Sequence, residues 1–336
     1  MPFGRMNRRQ FTTLLGGAAF AWPGVALAQQ AGPIPRIGVL MAHPEVDREF
    51  QDYVRAFRRG LRDLGWLEGR NIKLDFRWGA LDDAALRRRS AQELLDLAPD
   101  LLLTQNTPPT ASVLELTRSV PVVFVIVTDP VGSGFVKSLA RPDGNATGFT
   151  IMEPTMGGKW LEFLKEIAPH VTRVAFLFNP ATAPYVDYYL TPFKAAAGSF
   201  GLDPITAPVH NESEFEDIFA AQARIPNGGF VLIPDGFLNV HRVKITELAA
   251  RYRLPAVYPW RFFAEAGGLL SYGADQRDIF RRAASYADRI LKGEEPNKLP
   301  VQAPVKFELV INLNAAKHLD LEVSAHLQQL ADEIIE

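Results

Sequence analysis

An internal repeat constrains the fold of this chain more than any other feature. Residues 36–44 (RIGVLMAHP) are matched by residues 173–180 (RVAFLFNP), and residues 119–127 (SVPVVFVIV) are matched by residues 253–258 (RLPAVY). The offset is 137 residues for the first pair and 134 for the second, measured between the arginines and between the prolines. Nearly equal offsets indicate two copies of one arrangement in the same order. The chain is therefore predicted to fold as two similar halves.

Each half alternates short β-rich runs with longer helical patterns. The predicted strands of the first half are residues 37–41, 72–78, 101–104 and 122–127. Their near-continuous apolar character predicts burial on both faces, as in parallel βαβ units. The fold class expected is α/β, with two doubly wound parallel-sheet lobes. Because chain remains after the second copy, we expect it to cross back between the lobes and form a hinge of several strands.

The N-terminus has the pattern of an export signal. Residues 1–28 carry Arg5, Arg8 and Arg9 without any acidic residue, then an apolar run from Leu14 that closes on Ala-Leu-Ala at residue 28. This pattern predicts a signal peptide cleaved before Gln29, and the arginine pair favours the twin-arginine route. The alternative is a membrane anchor, but the run is shorter than a spanning helix and is interrupted by glycine and proline.

The composition narrows the location and the partners. The formal net charge is −2, so loss of the three signal arginines leaves a mildly acidic chain, which argues against nucleic acid as a partner. The absence of cysteine excludes disulfides, thiolate metal sites and a lipid anchor at the signal junction. We expect a periplasmic protein that is not a lipoprotein and that is monomeric.

No motif for catalysis, a cofactor or a metal is found. In the stretch 124–134 (FVIVTDPVGSG), the pair Gly132 and Gly134 lacks the third small residue of a dinucleotide loop, because Lys137 stands there. Gly198-Ser199-Phe200-Gly201 lacks the register of a nucleophile elbow. The six histidines have no metal-ligand spacing. We therefore expect no enzyme activity, no cofactor and no metal.

Polar and aromatic residues follow the predicted strands at their carboxyl ends, where open α/β sheets bind ligands. The candidate ligand-binding residues are His43, Asn106, Thr107, Asp129, Asn179, Asp235, Tyr258, Trp260 and Tyr272. In the first half, the start of the helix after Asn106 could offer N–H groups to a carboxylate. Asp129 or Asp235 could pair with a ligand ammonium, and Tyr258 and Trp260 could stack on an aromatic portion. The alternative is that Asp129, Asn179 and Asp235 only form turns.

Five segments in order resemble the ABC transporter substrate-binding proteins related to the tryptophan-binding type. They are residues 57–71 (FRRGLRDLGWLEGRN), 129–134 (DPVGSG), 139–145 (LARPDGN), 267–273 (GGLLSYG) and 306–313 (KFELVINL). The resemblance implies a type I periplasmic-binding fold with three crossings between the lobes. It places residues 29–150 and 274–297 in lobe 1, and residues 151–273 and 298–336 in lobe 2.

The resemblance also implies a function. It implies a protein that closes on a small molecule, possibly an aromatic or other amino acid, and hands it to an inner-membrane permease and ATPase. Relatives often have Ser-Gly-Thr-Pro-Ala where this chain has Gln105-Asn106-Thr107-Pro108-Pro109. Two alternatives remain open, a periplasmic sensing module for a signalling receptor and an exported α/β enzyme.

Overall fold

The computed structural model describes residues 33–79, 81, 83–151 and 153–336. The predicted export signal lies outside these residues. The strands are β1 Arg36–Met41, β2 Lys73–Trp78, β3 Leu101–Gln105, β4 Val122–Val127, β5 Ala146–Thr150, β6 Arg173–Phe178, β7 Asp203–Pro208, β8 Gly228–Leu232, β9 Ala256–Tyr258, β10 Leu270–Ala274, β11 Phe307–Asn312 and β12 Glu333–Ile335.

The helices alternate with the strands over most of the chain. They are α1 Arg48–Asp63, α2 Ala84–Asp96, α3 Thr107–Leu116, α4 Met156–Ile167, α5 Val186–Ala197, α6 Glu214–Ala223, α7 Gly236–Val240, α8 Arg242–Arg251, α9 Arg261–Glu265, α10 Gln276–Leu291, α11 Leu313–His318 and α12 Ala325–Leu330. Within the described ranges, none of these helices is both long and apolar enough to cross a membrane.

The first sheet has five parallel strands in the order β2-β1-β3-β4-β5. Alternate residues of one strand enter different cores, since Leu101 and Leu103 of β3 pack on one side and Leu102 on the other. Helices α2 and α3 cover the Leu102 side, and α1 and α10 cover the opposite side. We call this sheet with these four helices lobe 1.

The second sheet has seven strands in the order β12-β11-β10-β9-β8-β6-β7. All neighbours are parallel except β10 and β11. Helices α4 and α5 pack together against one part of the sheet, and α6 and α8 pack together against another. We call this sheet with helices α4–α9 lobe 2. The prediction of two parallel-sheet α/β lobes is confirmed, with β11 as the antiparallel exception.

The predicted strands of the first half are found within one residue of their expected bounds. The prediction that all are buried on both faces is wrong for β2, where Lys73 is exposed and the other five residues are half-buried. The reason is that β2 lies at the edge of the sheet, where fewer neighbours cover it. A run of apolar residues in the sequence does not by itself distinguish an edge strand from a central one.

The C-terminal part of the chain packs on both lobes. Helix α10 lies on α1 of lobe 1, and β11 then pairs with β10 of lobe 2. Between them, Gln302 donates its N–H to Gly148 O at 2.9 Å and accepts from Thr150 N at 2.9 Å, so residues 301–302 run beside β5. The lobe boundaries stay a prediction, and this segment, which they assign to lobe 2, contacts lobe 1.

Candidate functional site

A small cavity lies between the two lobes, at the carboxyl ends of their parallel strands. Lobe 1 contributes side chains at or after the ends of β1, β3, β4 and β5, and lobe 2 contributes side chains that follow β6, β8 and β9. Gln276, at the start of α10, completes the lining. The lining residues are His43, Gln105, Asn106, Ile126, Ile151, Tyr185, Pro234, Asp235, Asn239, Trp260 and Gln276. The cavity volume is about 10 Å³, which is room for about one water molecule. The lobes are therefore closed on each other.

Contacts beside the cavity hold the lobes together. Asp47, which caps α1 in lobe 1, pairs with Arg242 of α8 in lobe 2 at 2.9 Å, and both side chains are half-buried. The Arg242 guanidinium lies 5.5 Å from the ring centre of Phe262, and Phe262 lies 6.3 Å from Phe50 of lobe 1. An ion pair and an aromatic pair therefore bridge the lobes at one edge of the cleft.

Asn106 links β3 to α3 and has a backbone conformation that asparagine rarely adopts. Its φ is 77° and its ψ is 162°, a region populated almost only by glycine. The Asn106 N–H donates to Val125 O at 2.9 Å, and its side-chain oxygen accepts from Thr107 N at 2.9 Å. These two bonds hold the residue in place although the conformation costs on the order of 1–3 kcal/mol.

The neighbouring strand β4 is also distorted where it reaches the cavity. Its register against β5 shifts between Val125 and Val127, so Ile126 is the extra residue of a β-bulge. Ile126 has a φ of 59°, which is an outlier for a β-branched residue. The bulge gives Ile126 a place in the cavity wall. Two adjacent strands of lobe 1 thus carry backbone strain at this site.

Asp235 stands in lobe 2 at the position that corresponds to Asn106, between β8 and the helix that follows. Its carboxylate accepts from Asn179 N at 2.6 Å, Thr182 Oγ1 at 2.5 Å and Phe237 N at 2.9 Å. Burial raises the pKa of Asp235 to about 6, although these donors act in the opposite direction. The carboxylate therefore fixes the loop after β6 and the start of α7, in addition to facing the cavity.

His43 lines the cavity from lobe 1 as a neutral imidazole. Its ring is stacked on Phe50 with ring centres 3.6 Å apart. Burial, assisted by the charge of Arg242, lowers the pKa of His43 to about 3. The side chain is therefore uncharged at neutral pH, and one of its ring nitrogens is an acceptor.

Three lining residues carry buried polar atoms that have no hydrogen-bond partner. These atoms are His43 Nδ1 of lobe 1 and Asn239 Oδ1 and Trp260 Nε1 of lobe 2. The three residues are between 2 and 6% exposed. An unpaired buried polar group costs about 1–3 kcal/mol, so a cluster of three calls for an explanation. Their position at one cavity identifies it as a candidate binding site.

Four of the nine residues predicted for the site line the cavity, namely His43, Asn106, Asp235 and Trp260. Two others support it from outside. Thr107 Oγ1 accepts from Thr128 N at 3.4 Å, and Asn179 holds Asp235 through its backbone N–H. Both therefore have structural hydrogen bonds next to the site.

Asp129 lies outside the cavity wall and forms a turn. Its Oδ1 accepts from Gly132 N at 2.7 Å, and a side chain at Gly132 would collide with the carboxylate. The residue also faces lobe 2. Burial, together with the carboxylates of Asp129 and Glu153, raises the pKa of Tyr188 to about 12. Asp129 is thus a turn residue on the lobe 1 side of the cleft.

Tyr258 and Tyr272 are not brought to the cavity between the lobes. Tyr258 is stacked on Phe263 with ring centres 5.0 Å apart and lines a separate cavity of about 220 Å³ within lobe 2. Tyr272 packs between Phe163 and Phe307 at 4.9 and 6.0 Å. The reason is that both residues lie within strands, where side chains turn into the packed faces, whereas Trp260 follows the end of β9.

Seven lining residues are not among the nine candidates, namely Gln105, Ile126, Ile151, Tyr185, Pro234, Asn239 and Gln276. Asn239 lies one helical turn after Asp235, so its spacing could have placed it on the same side. The sequence around Ile126 does not predict that this residue lines the cavity, because the bulge that places it there depends on how β4 pairs with β5. Among the described residues, no group of three or more His, Cys, Asp or Glu could hold a metal ion.

Comparison with known proteins identifies the same architecture. Residues 36–335 match the family model described as ABC transporter substrate binding protein. A tyrosine-binding protein of Clostridioides difficile is 24% identical over 287 residues, which span 85% of this chain and 80% of that protein.

Solved structures agree with this comparison. A conserved domain protein from Vibrio cholerae O1 biovar El Tor has a TM-score of 0.82 and 25% identity, over 90% of this chain and 99% of that one. An ABC domain in complex with L-Trp from Streptococcus pneumoniae has a TM-score of 0.81 and 23% identity, with the same coverage. The two-sheet architecture is the periplasmic-binding protein type I-like fold.

Proposed function

Because the chain belongs to the ABC transporter substrate-binding protein family, whose members bind substrates and do not convert them, we propose that it captures a small molecule in the cavity between its lobes. The observation that carries the proposal is that three residues, drawn from both lobes and each with an unpartnered buried polar atom, line that cavity. A molecule that bonds to atoms of both lobes stabilises the closed form and cannot make the same contacts in an open one.

Closure around a hinge is the mechanism we propose. The closed cavity has a volume of about 10 Å³, so the lobes must move apart before a molecule larger than water can enter. The Asp47–Arg242 ion pair between the lobes is available only in the closed form. The ion pair therefore favours closure of the lobes.

The proposed partners are an inner-membrane permease and its ATPase, with the protein acting in the periplasm after export. The family membership supports an extracytoplasmic role in an ABC transporter. The export route and the monomeric state stay predictions from the sequence. The ligands of two relatives, tyrosine and tryptophan, make aromatic amino acids the first class of molecule to test.

The test combines native mass spectrometry with cleft variants. Protein isolated from the periplasm should carry one small molecule per chain, and calorimetry should then give an affinity for that identified molecule. Asn239→Ala and Trp260→Phe should each weaken its binding about tenfold, because each removes a polar atom worth about 1.4 kcal/mol. Tyr272→Phe, outside the cavity, serves as the matched control. Equal binding by all four proteins would contradict the proposed site.

A further inference from the structure

The segment of residues 299–302, on the way from α10 to β11, lies against lobe 1 like an additional strand. Gln302 forms a parallel bridge with Phe149 of β5, and its backbone makes the two hydrogen bonds to β5 described above. The Val301 N–H donates to Leu139 O, in the loop before β5, at 2.7 Å. The backbone of this segment is therefore bonded to lobe 1 on its β5 side.

Two side chains of α10 hold the same segment. Arg282 donates to Ala303 O at 3.2 Å and to the side-chain oxygen of Gln302. Tyr286 OH donates to Pro300 O at 2.5 Å and accepts from Gln302 Nε2 at 2.9 Å. Because α10 packs on α1, these bonds also belong to lobe 1. The segment is thus fixed to lobe 1 as far as Ala303.

The chain has no such contacts immediately after this segment. Among the described residues, no hydrogen bond or ion pair involves Pro304 or Val305, and Val305 is 73% exposed. Proline fixes its own φ and restricts the residue before it to extended conformations, so Ala303 and Pro304 are stiff. Backbone rotation is therefore least restricted at Val305.

The second and third crossings between the lobes are joined to each other at the next residue. Lys306 O accepts from Asp275 N at 3.0 Å, and Lys306 Nζ lies 2.7 Å from Asp275 Oδ2. Asp275 Oδ1 also accepts from Asp278 N at 3.1 Å and so caps α10. From Phe307 onward the chain pairs with β10 of lobe 2. The two crossings therefore meet directly after Val305.

We propose that residues 299–304 move with lobe 1 when the lobes part, and that the third crossing bends at Val305, beside the bonds between Asp275 and Lys306. Arg282 is the positioning residue that keeps the segment on lobe 1. This inference rests on the proposed function and deepens it, because hinge closure needs a bending point and a few loop residues usually supply it. The last part of lobe 2 then begins at Lys306 and not at residue 298.

Hydrogen exchange in an opened variant tests the inference. Gly236→Trp should hold the lobes apart, because even a side-chain carbon there would lie 1.8 Å from Leu81 Cδ2. NMR then compares amide exchange in this variant and in wild type. The amides of Thr150, Val301 and Gln302 should keep their protection within about threefold, since their bonds lie within lobe 1. If the segment moves with lobe 2, these bonds break on opening and exchange is about tenfold faster or more, which would overturn the inference.

A pair of neighbouring arginines tests the role of Arg282. Arg282→Ala should speed exchange at the Gln302 amide about tenfold, because the segment loses two hydrogen bonds to α10. The amides of β1 should keep their protection. Arg281→Ala is the matched control, since Arg281 pairs with Asp278 on an exposed surface of the same helix. Equal exchange at Gln302 in the two variants, both with a normal melting temperature, would overturn the role of Arg282.

Small-angle X-ray scattering separates this inference from the proposed function. An expanded Gly236→Trp variant with preserved protection supports both. Expansion with fast exchange at the three amides overturns the inference and leaves hinge closure standing. If the radius of gyration equals that of wild type in Gly236→Trp and in Asp47→Asn, the lobes do not part, and hinge closure and the bending point are both contradicted.

Discussion

At the scale of single residues, Asn106 combines a strained backbone with a side chain that caps the following helix. It adopts φ 77° and ψ 162°, which glycine adopts without cost, and it uses its side chain to pair the Thr107 N–H. Strain of this kind persists only where neighbouring contacts fix it, and here it lies in the wall of the candidate site. Strand and helix patterns predicted the position of Asn106 but not its conformation.

Asn106→Gly is expected to raise the free energy of unfolding by about 1 kcal/mol, because relief of the strained backbone exceeds the loss of the cap hydrogen bond. Asn106→Ala should lower it, since alanine keeps the strain and loses the bond. Urea denaturation of the three proteins measures both effects. The interpretation of strain fails if the glycine variant is less stable than the alanine variant.

Asp235 and His43 should make opposite contributions to the pH dependence of stability. The pKa of Asp235 rises from 3.8 to about 6 on folding, so folded protein binds more protons between those values and stability falls as pH rises. The pKa of His43 falls from 6.5 to about 3, so stability is lost as pH falls from 6.5 toward 3. Between pH 4 and pH 6 the two effects largely cancel.

Single substitutions should expose each contribution. The free energy of unfolding of Asp235→Asn, relative to that of wild type, should rise by about 2 kcal/mol from pH 4 to pH 6, because the variant lacks the raised pKa of Asp235. His43→Gln should lose a similar amount over the same interval. Denaturation curves at pH 4, 5 and 6 measure both differences. Parallel pH profiles for the three proteins would refute the assigned pKa shifts.

At the scale of elements, the packing of α10 on α1 depends on a glycine that the helical pattern does not explain. A side-chain carbon at Gly60 would lie 2.6 Å from Arg281 O and 2.7 Å from Ala284 Cβ, closer than such atoms approach. The helices can therefore lie this close only with glycine there. Periodicity predicted α1 and its buried face, but the partner of that face lies more than 200 residues away and was expected only from the family resemblance.

Gly60→Ala should lower the free energy of unfolding by about 1–3 kcal/mol, the usual cost of overpacking, despite the better helix propensity of alanine. Arg59→Ala, on the exposed face of the same helix, is the matched control and should stay within about 0.5 kcal/mol of wild type. Thermal and urea denaturation measure the difference. A stabilising Gly60→Ala would show that α10 shifts freely against α1.

At the scale of the whole molecule, the closed arrangement of the lobes depends on a few contacts between them. The Asp47–Arg242 pair joins the start of α1 to α8. Nearby, a side-chain carbon at Gly236 would meet Leu81 Cδ2 at 1.8 Å, so α7 approaches lobe 1 closely. These contacts form only when the lobes meet and should influence how often they do.

Asp47→Asn should shift the protein toward open forms, because asparagine can still cap α1 but cannot pair with the guanidinium charge. A partly buried pair worth about 1 kcal/mol would change the balance of closed to open molecules about fivefold. Small-angle X-ray scattering should show a larger radius of gyration for this variant. Asp52→Asn removes an exposed ion pair within α1 and is the control. Identical scattering from wild type and Asp47→Asn would exclude the pair as a determinant of closure.

The two-lobed α/β fold could be predicted from the sequence, because burial on both sheet faces requires apolar strands that alternate with amphipathic helices, and this pattern is repeated along the chain. It also placed His43, Asn106, Asp235 and Trp260 near the ligand-binding ends of their strands. Which of the candidates lie at one cavity depends on how the chain folds. The bulge at Ile126, the inward turn of Tyr258 and Tyr272, and the pairing of the Thr107 N–H depend on strand register and on contacts between distant segments, which no local pattern encodes.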